Sequence, residues 1–194
     1  MKAGSTQVLR ATSSGVPSGA PIELQRYVPT SSGGNDWEWV RVATATVRGG
    51  SASLQFNPDG NAKYRVRYLG DAKRQAANSK PFSLAVSPDL RISGGGGIVR
   101  VRTSGQIVSV RGLTTPAELP VNLVRYRCNS SWSSCSVVDS VALVSGIDGS
   151  FMSQWTAARG YWGFRIRFAA SEGLNSAEST LLDRKSTRLN SSHT

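Results

Sequence analysis

Tyr64-Arg65-Val66-Arg67-Tyr68 and Phe164-Arg165-Ile166-Arg167-Phe168 decide the fold. In both, large apolar residues and arginines alternate at every position. Side chains on a strand point to opposite faces in turn, whereas a helical face repeats at about 3.6 residues. Both segments therefore read as strands. Tyr64, Val66 and Tyr68 would face a core, as would Phe164, Ile166 and Phe168, with the arginines in water. The register predicts Val66 and Ile166 buried and Arg65 and Arg165 exposed.

The two segments lie one hundred positions apart. Upstream, Ile22-Glu23-Leu24-Gln25-Arg26-Tyr27 matches Val121-Asn122-Leu123-Val124-Arg125-Tyr126 at a spacing of 99, and downstream Asn78-Ser79 matches Asn175-Ser176 at 97. Three correspondences in one order at nearly one spacing make a duplication. Each copy carries tryptophan (Trp37 and Trp39; Trp132) and then a β-branched run, Val40–Val47 or Ser136–Val144. Turn signals, Gly49-Gly50 and Asp148-Gly149, close these runs. A period near 99 is the size of one immunoglobulin-like sandwich, about seven short strands. The expected fold is all-β: two tandem sandwich domains, 1–87 and 88–182, divided near Ser87-Pro88-Asp89. The second copy opens with Leu90-Arg91-Ile92 and Ile98–Arg102, for which the first has no equivalent. The first is therefore expected to lack its opening strand and to expose a sheet edge.

These residues resemble a family. Tyr64–Tyr68 with Asn78-Ser79, and Phe164–Phe168 followed by Ala169–Ser176, are similar to the late strands of fibronectin type III and bacterial immunoglobulin-like repeats. A Leu-x-Arg-Tyr strand, then Trp, then a Gly-terminated hairpin resembles repeats of long bacterial surface and secreted proteins. The tryptophan usual early in a type III domain is missing around Val108-Ser109-Val110, which favours the bacterial relatives. The resemblance implies spacer, adhesive or accessory roles outside the cell, and it brings no catalytic residues or cofactors.

The chain has 194 residues, 39% hydrophobic and 18% charged, which suits a folded protein. No apolar run approaches the roughly 18 residues of a membrane span. Met1–Thr6 has no apolar stretch behind its lysine and does not read as a signal peptide. That leaves a cytosolic protein or an internal Met1, and we expect the second. Residues 183–193, DRKSTRLNSSH, resemble a translated sequencing-library adapter, so 183–194 is expected to be an artefactual tail. Its removal takes away three basic residues and one acidic one, lowering the formal net charge from +11 to +9.

Cys128 and Cys135 are the only cysteines and flank a polar segment between two expected strands. A disulfide closing a hairpin loop fits best, with free thiols the alternative, and it would place the chain in an oxidising compartment, extracellular or at the cell surface. Zinc needs about four ligands, which two cysteines and one histidine inside the tail do not supply. The body of the chain has no histidine to serve a nucleophile, so enzymatic activity is not expected. Asp36 and Glu38 read as a polar loop beside core tryptophans, Asp59 as a turn residue, and Gly94–Gly97 as a loop. Asn129-Ser130-Ser131 fits a glycosylation pattern that matters only in a eukaryotic source.

The basic balance remains. Arg26, Arg65, Arg67, Arg100, Arg102, Arg125, Arg127, Arg165 and Arg167 are read at outward strand positions. Arg65, Arg67, Arg165 and Arg167 are the candidates for holding an anionic glycan or cell-wall polymer; nucleic acid is a less favoured partner. Covering an exposed sheet face is the plainer role. Aromatic side chains between the arginines would favour binding, and the alternation places Tyr64, Tyr68, Phe164 and Phe168 inward instead. The expected function is thus a spacer or adhesion module joined to neighbouring domains. Anionic-polymer binding, or service as an accessory domain of a secreted hydrolase, is the alternative.

Overall fold

The computed structural model describes residues 1–30, 36–93, 98–171 and 173–179. The adapter-like stretch and Gly94–Gly97 lie outside them. The described residues are all-β, with antiparallel sheets and no helix long and apolar enough to cross a membrane. The chain divides into two compact units, with the change at Ser87/Pro88 and with Ala170–Asn175 grouped with the first.

The first unit contains β1 (Gln7–Thr12), β2 (Pro21–Pro29), β3 (Trp37–Thr46), β4 (Ser51–Phe56), β5 (Ala62–Tyr68), β6 (Ala77–Asn78) and β7 (Phe82–Leu84). Among the described residues β1 pairs only with β4; β3, β2 and β5 form the other sheet, with β6 and β7 successively along the far edge of β5. Ile22, Leu24, Leu54, Phe56, Tyr64 and Tyr68 fill the space between the sheets. The Gly49-Gly50 turn takes φ values of 53° and 74°, a region that glycine enters without a Cβ penalty.

The second unit contains β8 (Asp89–Ser93), β9 (Ile98–Val101), β10 (Gln106–Thr115), β11 (Pro120–Cys128), β12 (Cys135–Val144), β13 (Ser150–Ala157), β14 (Gly160–Phe168) and β15 (Ala177–Glu178). One sheet runs β13-β10-β8, and the other runs β12-β11-β14-β15 with β9 also on β14. Val108, Val110, Leu123, Phe151, Phe164, Ile166 and Phe168 are buried. Gly112 lets β8 and β10 meet over the Phe151 ring, because a Cβ there would lie 2.3 Å from the Arg91 carbonyl and 2.2 Å from the ring.

The strand orders match element for element, β1 with β10, β2 with β11, β3 with β12, β4 with β13 and β5 with β14. The differences are β8, which makes the β10 sheet three-stranded where the β1 sheet has two, and the partner beside β6 or β15, which is the later strand β7 on β5 but the earlier strand β9 on β14. An apolar cleft of about 370 Å³, lined by Leu9, Val16, Ile22, Val66 and Tyr68 among others, opens beside β1. This corrects one expectation. Ile166 is fully buried, but Val66 is only half-buried, because it lines that cleft.

Candidate functional site

Register decides which side chains share a face, since residues directly opposite on paired strands point the same way. Leu24 lies opposite Val66, Gln25 opposite Arg65 and Arg26 opposite Tyr64. Odd positions of β2 and β5 therefore share the outer face of the sheet. On β3, the shift beside Leu24/Gln25 leaves Tyr27 opposite Trp39 and Pro29 opposite Trp37. Trp37, Trp39 and Tyr27 thus lie on the face that carries Lys63, Arg65 and Arg67.

This corrects the reading of Trp37 and Trp39 as core residues. Trp37 is 51% exposed. Tyr27 stacks on Trp37 at 5.2 Å between ring centroids and meets Trp39 at 4.9 Å. The Arg65 guanidinium sits 4.3 Å over the Trp39 ring, and its Nε donates to Gln25 Oε1 at 2.8 Å. One edge of the guanidinium is thereby fixed while the terminal nitrogens stay free of that bond. Partial burial and then the charge of Arg67 push the Arg65 pKa below its ordinary value. An arginine remains cationic at neutral pH even so. Among the described residues no carboxylate pairs with Lys63, Arg65 or Arg67. The rings border a groove of about 480 Å³ shared by Tyr27, Trp37, Lys63 and Ser83.

Three arginines assigned outward face the other way. Arg26 shares the face of Leu24 and Tyr64 and pairs with Asp59 at 2.5 Å. Arg125 shares the face of Leu123 and Phe164, lies 5.4 Å from the Trp155 ring centroid and pairs with Asp139. Arg127 sits 5.0 Å over Trp162. A partner offsets each of these partly buried charges: Asp59 for Arg26, Asp139 for Arg125 and the Arg159 carbonyl for Arg127.

In the second unit Arg165 and Arg167 lie on the outer face, Arg167 exposed, but Arg165, like Arg65, is half-buried and not exposed as expected. They are held differently from Arg65 and Arg67. Glu178 accepts from Arg165 Nη1 at 3.1 Å and from Arg167 Nε at 3.0 Å. Arg167 also donates to the Tyr126 hydroxyl at 3.0 Å. The Glu178 bond is the foremost cause raising the Arg167 pKa. Beside them the Cys128–Cys135 disulfide joins residues that are directly opposite on β11 and β12. Asn129 Oδ1 accepts from the Ser133 and Ser134 amides, and Trp132 packs edge-on to Tyr161 at 5.3 Å.

Sequence reasoning missed Tyr27, Trp37 and Trp39 as surface residues. A signal was present, because Trp37-Glu38-Trp39 alternates and follows a run of polar residues, but nothing local shows which parity faces out. No protein-family model matches the chain, and no curated protein matches it.

Proposed function

We propose that the chain is a non-catalytic binding module of a larger extracellular protein, built from tandem immunoglobulin-like or fibronectin type III-like repeats of the bacterial kind. Its first unit holds an anionic polysaccharide or cell-wall polymer. The observation that carries this reading is the shared outer face of Tyr27, Trp37, Trp39, Lys63, Arg65 and Arg67. Aromatic faces suit the apolar faces of sugar rings, and unpaired cations suit carboxylate or phosphate groups. Glu178 already engages both outer arginines of the second unit, which favours a spacer role for that unit. The disulfide supports an extracellular setting.

The test is retention of the purified chain by polygalacturonate, with neutral dextran as control and salt as a variable. Binding should fall with salt, and Arg65→Ala with Arg67→Ala should weaken it by at least about tenfold, the equivalent of one charge-assisted hydrogen bond. Trp37→Ala and Trp39→Ala should act in the same direction. Equal retention by dextran, or full binding by the folded arginine double variant, would overturn the reading.

A further inference from the structure

The two units hold the same pair of arginines differently: Glu178 bonds both Arg165 and Arg167, whereas Glu23, the carboxylate opposite Arg67 on β2, is taken by Arg41 and Gln25 instead. Arg167 lies directly opposite Glu178, and Arg67 lies directly opposite Asn78. Cross-strand partners share a face, so Asn78 is equivalent to Glu178, which corrects its matching with Asn175, and both look onto the arginine face. In the second unit the carboxylate reaches its opposite partner Arg167 and its diagonal neighbour Arg165. In the first unit the same position carries a neutral amide, and no carboxylate pairs with Arg65 or Arg67 among the described residues. β6 and β15 are two-residue strands at equivalent places, so the difference lies in the side chain and not in the backbone.

We infer that the residue opposite the second arginine, Asn78 or Glu178, sets whether a unit can hold an anionic ligand. Asn78 leaves the Arg65/Arg67 pair open to a carboxylate from solution. Glu178 is a built-in carboxylate that occupies the equivalent pair and competes with any ligand. A carboxylate on the adjacent strand has a high effective concentration, so an external anion has to displace it before binding. Asn78 and Glu178 are thus specificity-determining positions, and the ligand group they select for or against is a carboxylate. This inference rests on the polyanion-binding reading of the first unit.

The test uses the full chain and polygalacturonate. Asn78→Glu should weaken binding about tenfold, while Asn78→Gln, which adds the length without the charge, should leave it unchanged. In a chain whose first unit carries Arg65→Ala and Arg67→Ala, Glu178→Gln should restore measurable binding. A second readout needs no polymer. Phenylglyoxal modifies free guanidinium groups, and peptide mapping should find Arg65 and Arg67 modified faster than Arg165 and Arg167. Glu178→Gln should bring the second pair up to the rate of the first, and Asn78→Glu should slow the first. If the wild-type chain binds the polymer and Asn78→Glu binds equally well, the inference fails and the functional reading stands. If the wild-type chain does not bind, the functional reading fails. The modification rates then decide whether these residues control the arginines, and equal rates in all variants would overturn that as well.

Discussion

Arg65 shows how one side chain gains a defined role from its neighbours. Trp39 fixes the plane of its guanidinium and Gln25 fixes its Nε, so the remaining donors are preorganised without being neutralised. A freely rotating surface arginine would lose more side-chain entropy on binding. Val66 and Ile166 give the complementary lesson in the core. They hold equivalent positions, yet only Ile166 is closed off from water. Ile166→Ala should therefore cost about 2–5 kcal/mol, through lost burial and the cavity left behind. Val66→Ala should cost about 1 kcal/mol, since part of that side chain already meets solvent. Urea denaturation of the two variants checks the difference, and equal losses would contradict the half-buried placement of Val66.

At the scale of elements, β1 and β10 are the informative pair. Both carry apolar residues at alternate positions and both pair with the strand that follows the second hairpin. Among the described residues β10 has a partner on each side, β13 and β8, whereas β1 pairs only with β4. Among the described residues the outward amides of β1 have no ladder partner, an edge of the kind that invites association. Hydrogen exchange should find those β1 amides exchanging at least about tenfold faster than the β8-facing amides of β10, because protection follows from the paired ladder. Uniform protection along β1 would mean that another strand covers it. The Gly49-Gly50 and Asp148-Gly149 turns were legible in the sequence because their left-handed backbone is a local demand.

For the whole molecule, charge is the dominant property. A formal net charge of +11 would repel like-charged surfaces and draw polyanions, with an effect that salt screens. Several of the acids are committed to the fold. Asp71 is held below the usual carboxylate range by the Tyr68 hydroxyl and the Lys73 amide, and Asp148 by the Ser150 amide. Glu178 meets a desolvation that raises its pKa, but hydrogen bonds from Arg167 and Arg165 outweigh it and leave the value lowered. A carboxyl with a lowered folded pKa contributes stability that is fully present above its unfolded pKa and is lost as pH falls through the folded one. Thermal stability should therefore be level from neutrality to about pH 5 and fall below about pH 4, the range of unperturbed carboxyls. A fall beginning near pH 6 would point to other groups.

At the same scale, the sequence by itself determined the all-β class, the hundred-residue spacing of Tyr64–Tyr68 and Phe164–Phe168, and the hairpin glycines, since alternation, repetition and turn conformation are properties of neighbouring residues. The cysteine pairing was legible too, as a short polar loop between two strands. The tertiary structure alone decided that Trp37 and Trp39 face outward while Arg26 and Arg125 face the core side. It also decided that Val66 meets a cleft and that Asn78 and Glu178 each stand opposite the second arginine of a pair. Those outcomes depend on strand pairing and on which edges are covered, and pairing joins residues far apart in the chain, where no local pattern of side chains can specify which face will be buried.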